Sequence, residues 1–151
     1  MDIDVKVKIL SDKVGMLFQL PSYATEGSAG MDLCACIDEE VVVRAGQIVK
    51  IPTGIAMQIQ SKYIGGFIFP RSGLSSKHGI SLINCVGVLD SDYTGEIICP
   101  VVNHSSEDYC IKPGDRIAQI VFMPVYAAKL TVTDELSETD RGSGGFGSTG
   151  A

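Results

Sequence analysis

Between Gly87 and Glu96 the chain reads GVLDSDYTGE, which places Asp90, Asp92, Tyr93 and Glu96 in one short stretch. A turn needs Asp and Gly only for backbone geometry. Here a carboxylate and an aromatic ring also share the turn. A carboxylate can take a proton from a water, and a ring can pack against a flat ligand. Apolar runs flank the stretch, Ile80 to Val86 (ISLINCV) and Ile97 to Val102 (IICPVV). Two such runs around a turn predict a β-hairpin with this chemistry at its mouth.

Arginine is scarce: Arg44, Arg71, Arg116 and Arg141 are the only four. The last three lie in PRSG, GDRIAQ and RGSGG, beside glycine, serine or turn residues. Singly, each reads as a solvated surface arginine. Together they suit phosphate, because a guanidinium makes forked, charge-assisted bonds to phosphate oxygens. In Pro70 to Gly79 (PRSGLSSKHG), Ser72 to Lys77 predicts a short helix, with Ser72 as its cap and Gly79 just beyond its end. Backbone N–H groups at such a start also attract phosphate. An ordinary capped turn explains the spacing equally well.

Two amides stand out. Gln119 shares strand parity with Ile117, Val121 and Met123, and Asn84 lies inside ISLINCV. An amide among apolar neighbours is either a hydrogen-bonded core residue or a ligand contact, and it can both donate to and accept from the edge of a base. The tail, Arg141 to Ala151 (RGSGGFGSTGA), contains Gly-x-Gly-x-x-Gly from Gly142 to Gly147. No helix can follow it, so it is not a dinucleotide-binding turn. Composition makes it a flexible terminus. Arg141 and Phe146 among glycines also fit a lid that reaches a phosphate and stacks on a ring.

These residues need a rigid frame. The chain has 151 residues, enough for one domain with a core, and 45% are hydrophobic against 20% charged, which excludes disorder. A net charge of −6 argues against general nucleic-acid binding. No apolar run reaches bilayer length and no secretory leader is recognised, so no membrane partner is expected. Cys34, Cys36, Cys85, Cys99 and Cys110 are odd in number and lack a Cys-x-x-Cys pair. Reduced thiols in a cytoplasmic protein are expected, and Asn103-His104-Ser105 is taken as a chance glycosylation match.

Ile3, Val5, Val7 and Ile9 alternate with charged residues and predict a half-buried strand. Further strands are expected at Met31 to Cys36, Val41 to Val43, Gln47 to Ile51, Ile55 to Gln60, Gly66 to Phe69, Ile80 to Leu89, Gly95 to Asn103, Asp108 to Ile111, Ile117 to Val125 and Lys129 to Thr133. Pro52-Thr53-Gly54 is expected to separate the fourth from the fifth strand of the chain. Many short strands between Gly, Pro and Asp turns indicate an all-β jelly-roll-like barrel or sandwich, with one short helix and a flexible C-terminal tail.

Five segments in order resemble the motifs of the trimeric dUTPases (deoxyuridine triphosphate nucleotidohydrolases). They are AGMDLCA (Ala29 to Ala35), PRSGLSSKHG (Pro70 to Gly79), GVLDSDYTGE (Gly87 to Glu96), GDRIAQIVF (Gly114 to Phe122) and RGSGGFGSTG (Arg141 to Gly150). Leu89 stands where that family often has Ile. The resemblance implies a jelly-roll domain over residues 1–140 and a tail over 141–151 that closes over the active site. It also implies a homotrimer with shared sites, dUTP as substrate and Mg²⁺ as cofactor. The products would be dUMP and pyrophosphate, which limits uracil in DNA and supplies dUMP for thymidylate synthesis.

By the same resemblance Asp90 orients and deprotonates the attacking water. Tyr93 packs against the deoxyribose, where a 2′-hydroxyl would collide. Asn84 and the backbone of Gly87, Val88, Leu89 and Ile98 form the uracil slot. Arg71, Ser72, Gly73 and Gln119 match phosphate contacts from neighbouring subunits. Arg141 and Ser148 match γ-phosphate contacts of the tail, and Phe146 the lid over uracil. No direct protein ligand to Mg²⁺ is implied; Asp32 and Arg116 match structural or outer-sphere positions. Two alternatives are a dCTP deaminase-type relative on the same fold, against which the Asp90–Tyr93 hairpin and the Phe146 lid count, and a non-catalytic dUTP-sensing regulator.

Overall fold

The structure is a computed structural model and describes residues 2–145. Ten strands and one helix follow in order: β1 (Val5–Ile9), β2 (Met31–Cys34), β3 (Val41–Val43), β4 (Ile48–Ile59), β5 (Ile64–Pro70), α1 (Ser72–His78), β6 (Ile80–Leu82), β7 (Gly87–Leu89), β8 (Glu96–Asn103), β9 (Tyr109–Ile111) and β10 (Arg116–Pro124). One sheet has the order β1-β4-β8-β6 and a second the order β2-β10-β5-β7; β3 and β9 form a two-stranded ladder. All recorded strand pairs are antiparallel. The architecture is the expected all-β, jelly-roll-like sandwich.

Alternation along each strand sends one face inward. Ile55, Met57 and Ile59 of β4, Ile97, Cys99 and Val101 of β8, and Ile80 and Leu82 of β6 supply one side of the core. Leu33, Ile68, Leu89, Ala118 and Ile120 supply the other, so one apolar cluster joins the two sheets. Asn103 is fully buried, and its amide nitrogen donates to the carbonyls of Val43 (2.9 Å) and Glu107 (2.7 Å). A side chain so enclosed cannot carry a glycan, which agrees with reading Asn103-His104-Ser105 as chance.

Several expectations need correction. The chain from Ile80 to Leu89 is not one strand. β6 pairs with β8, as a hairpin would, but β7 leaves that sheet and pairs with β5, with Phe67 opposite Val88. The crossing at residues 83–86 turns through Cys85 at φ 60°, a left-handed conformation uncommon for a residue with a Cβ. The front of GVLDSDYTGE is therefore a strand of the second sheet. Conversely, Pro52-Thr53-Gly54 does not break the chain: β4 runs through it with a bulge. Pro52 faces Ile98 and Ala56 faces Glu96, four steps on β4 against two on β8. Gly54 supplies the φ of 72° that this requires.

Lys129 to Thr133 forms no strand. Leu130 and Val132 are 91% and 97% exposed there, because no edge among the described residues pairs with the segment and a lone strand gains nothing from its alternation. β1 is an edge strand, and Val7 and Ile9 are nearly half exposed, more than its pattern suggested. Ser72 is the first residue of α1 rather than its cap; Arg71 takes the cap position, with no side-chain capping bond. Gly79 ends the helix at φ 67°, as expected, and its N–H donates to Ser75 at 2.9 Å. Among the described residues no helix is long and apolar enough to cross a membrane.

Candidate active site

The crossing from β6 to β7 and the start of β8 build one cleft of about 230 Å³. Asn84, Gly87, Val88, Leu89, Asp90, Tyr93 and Ile98 all line it, together with Ile68, Glu96 and Ile97. The residues expected on the nucleoside side, Phe146 apart, thus meet in one place. Asn84 is exposed, which excludes the reading of it as a core amide. Glycine at 87 permits close packing on Ile68: a Cβ there would lie 3.2 Å from Ile68 Cβ, while the Asn84 amide nitrogen at 3.5 Å would be in ordinary contact. Asp90 is exposed at the lip. The N–H of Tyr93 donates back to the Asp90 carbonyl at 3.2 Å, and the Tyr93 hydroxyl donates to the Glu96 carbonyl at 3.0 Å.

A second, larger cleft of about 730 Å³ opens where β2, β10 and β5 meet the loop before β2. Asp32, Pro70, Ser72 and Gln119 line it, together with Gly30 and Ser28. Gln119 reaches this side through a bulge: between Arg116 and Ala118 the register of β10 against β2 shifts. The shift lets Ile117 and Ala118 both bury and reverses the alternation beyond them. Gln119 is therefore out of phase with Ile117, which sequence parity could not reveal. Its amide nitrogen donates to the Pro70 carbonyl at 3.1 Å. Its Oε1 lies against Gly30, where a Cβ would stand 3.1 Å away.

Beside this cleft, Asp32 holds two arginines. Arg71 Nε donates to one carboxylate oxygen at 2.7 Å and Arg116 Nη1 to the other at 3.1 Å. Arg71 Nη1 also donates to the Arg116 carbonyl at 3.3 Å. All three side chains keep 28% or more of their exposure, and ion pairs that water still reaches add little stability. The effect is orientation: Arg71 is held in one pose beside Ser72. The Asp32 charge and, more strongly, burial push the Cys34 thiol above its ordinary acidity range. The pairing of Asp32 with both arginines was not read from sequence; only their presence in separate motifs hinted at a shared place.

Gly73 is exposed near the start of α1. Arg141 is exposed as well, and its Nε donates to the Gly144 carbonyl at 2.9 Å, within its own turn. The structure thus does not bring Arg141 to either cleft. Phe146 and Ser148 lie outside the described residues. Among those described, no group of three or more His, Cys, Asp or Glu side chains gathers as a metal site. The nucleoside-side cleft and the larger cleft have no lining residue in common.

Known proteins resemble this chain along nearly its whole length. The dUTPase family model matches residues 17–150. The deoxyuridine 5'-triphosphate nucleotidohydrolase of Desulfitobacterium hafniense is 53% identical over 146 residues, covering 97% of each chain. That of Idiomarina loihiensis is 52% identical with the same coverage. Among solved structures, the dUTPase of Staphylococcus bacteriophage 80alpha with dUPNHPP superposes with a TM-score of 0.82 at 26% identity, covering 98% of this chain and 99% of that one. With a family model matched from residue 17 to residue 150 and half its residues shared with such relatives, the chain belongs to the dUTPase family.

Proposed function

We infer that the protein hydrolyses dUTP to dUMP and pyrophosphate. The observation that carries this is the convergence of Asn84, Asp90 and Tyr93 on one cleft floored by β7. In this reading the Asn84 amide and backbone groups of Gly87, Val88, Leu89 and Ile98 meet the uracil edge. Tyr93 walls the sugar side and leaves no room for a 2′-hydroxyl. Asp90 accepts a proton as a water oxygen bonds to the α-phosphorus. The bond from that phosphorus to the bridging oxygen breaks, and pyrophosphate leaves with the electron pair.

The triphosphate belongs to the other cluster. Arg71, fixed by Asp32, carries charge to the phosphates; Ser72, Gly73 and Gln119 add donors. A hard cation such as Mg²⁺ suits phosphate oxygens and water as ligands, and when bound it neutralises triphosphate charge. Both Asp32 oxygens already accept from arginines, so Asp32 acts through Arg71.

A homotrimer with shared sites is supported by two features. Asn84, Asp90 and Tyr93 line one cleft, Ser72 and Gln119 line another with no residue in common and Arg71 beside it, and the nucleoside cleft alone is smaller than a typical small-molecule site of about 300–1,000 Å³. The exposed apolar residues Tyr126, Leu130, Val132 and Leu136 also suit burial against another copy. Arg141, Phe146 and Ser148 would then close over the ligand as a tail from residue 141 onward. Five unpaired cysteines suit a reducing, cytoplasmic setting.

Pyrophosphate release from dUTP, UTP, dCTP and dTTP tests the reading. Turnover of dUTP alone is the expected result. Ammonia from dCTP would make the protein a deaminase, and tight dUTP binding without turnover would make it a sensor.

A further inference from the structure

Glu96 lines the nucleoside cleft yet has no part in the chemistry above. Its hydrogen bonds go to other parts of the chain. Its Oε1 accepts the N–H of Gly54 at 2.9 Å, inside the bulge of β4. Bulged residues lose their ladder partners and must find others. At this bulge the Thr53 hydroxyl donates to the Ile97 carbonyl at 2.7 Å, and the Gly54 N–H is met by Glu96. The Glu96 carbonyl in turn accepts the Tyr93 hydroxyl. Between them lies Gly95, where a Cβ would stand 2.5 Å from the Tyr93 Oη and 2.6 Å from its Cζ. The Tyr93 ring therefore lies directly across Gly95, and its hydroxyl is tied to the next residue along.

We propose that Glu96 is a positioning residue that sets the dUTP-over-UTP preference, by anchoring the strand to which the Tyr93 hydroxyl is tied. The bulge of β4 fixes Glu96, Glu96 fixes the height of its own carbonyl, and that carbonyl fixes the ring. The inference rests on the hydrolase reading, since it assigns Tyr93 the sugar wall. Discrimination against a single added hydroxyl depends on where a wall stands, so a shift of less than an ångström in the ring matters.

The test is the ratio of kcat/KM for dUTP to that for UTP, with a melting temperature taken for each variant. Glu96→Ala removes the anchor and lowers the ratio about tenfold, the low end of what a lost hydrogen bond to a charged carboxylate is worth. Glu96→Gln keeps an acceptor oxygen for the Gly54 N–H and restores most of the ratio. Gly95→Ala leaves Glu96 in place but displaces the ring, so it lowers the ratio too, and it carries the test if Glu96→Ala does not fold. An unchanged ratio in Glu96→Ala, or in Gly95→Ala should the former not fold, overturns the proposal. Equal loss in Glu96→Gln and Glu96→Ala does so as well. Failure of the hydrolase reading looks different: the unsubstituted protein would release no pyrophosphate from dUTP. The relative binding of dUTP and UTP to the same variants then reads the ratio instead.

Discussion

Asp90 stands at the end of β7, where the chain leaves the second sheet and the turn toward β8 begins. Rigid strands on both sides hold the carboxylate at the lip of the nucleoside cleft. In the proposed reaction it acts only as proton acceptor, so Asp90→Asn keeps shape and dUTP binding while turnover falls roughly 10²–10⁴-fold. Calorimetric binding of a non-hydrolysable dUTP analogue beside pyrophosphate release separates the two effects; unchanged turnover removes Asp90 from the role. Cys99 makes a second prediction. Burial pushes its thiol up to about 12 from 9.0, so folding favours the neutral form. That stability is complete below pH 9 and is lost as pH rises toward 12. Cys99→Ala costs stability at neutral pH through lost packing, yet its melting temperature falls less steeply over that alkaline window than that of the unsubstituted protein. At this scale the sequence was legible where a residue's type pointed to a surface position, as for Asn84 and Tyr93, which line one cleft. It was not legible for Gln119, whose side is set by a bulge two residues earlier.

Bulges and crossings explain most of what periodicity missed among the elements. A period-two pattern reports alternation but not where an extra residue resets it. Hence Pro52-Thr53-Gly54 resembled a break, although side chains satisfy the freed groups and β4 continues. Ile80 to Leu89 resembled one strand because both halves are apolar, although they serve different sheets. Gly54 is the weak point of this arrangement. At φ 72°, a Cβ would also stand 2.6 Å from Cys36 Sγ and 2.9 Å from Val14 Cγ2. Gly54→Ala therefore destabilises the fold by roughly 1–3 kcal/mol, through backbone strain with crowding added. Chemical denaturation measures it; a midpoint equal to that of the unsubstituted protein would show that the bulge relaxes freely.

At the scale of the whole molecule, the proposed site draws on more than one chain. In the proposed reading the nucleoside-side cleft and the larger cleft of one chain hold apart the groups that the triphosphate needs together, and Tyr126, Leu130, Val132 and Leu136 are exposed. The alternation at Lys129 to Thr133 suggested a strand, but none forms there: among the described residues no edge pairs with the segment, and alternation alone does not supply one. Deleting residues 141–151 leaves the body folded and removes nearly all turnover, if the tail closes the proposed site. Shared sites make a sharper claim. Asp90→Asn and Arg71→Ala disable different clefts, so each variant alone is inactive. Mixed after denaturation and refolded together, they form trimers in which some sites draw Asp90 from one subunit and Arg71 from another. Each role is filled by an intact subunit half the time, so roughly a quarter of the sites recover. Recovery near that level establishes that neighbouring subunits complete one another's sites. If each chain holds a whole site, every site in the mixture keeps one of the two lesions and turnover stays at the level of the variants alone.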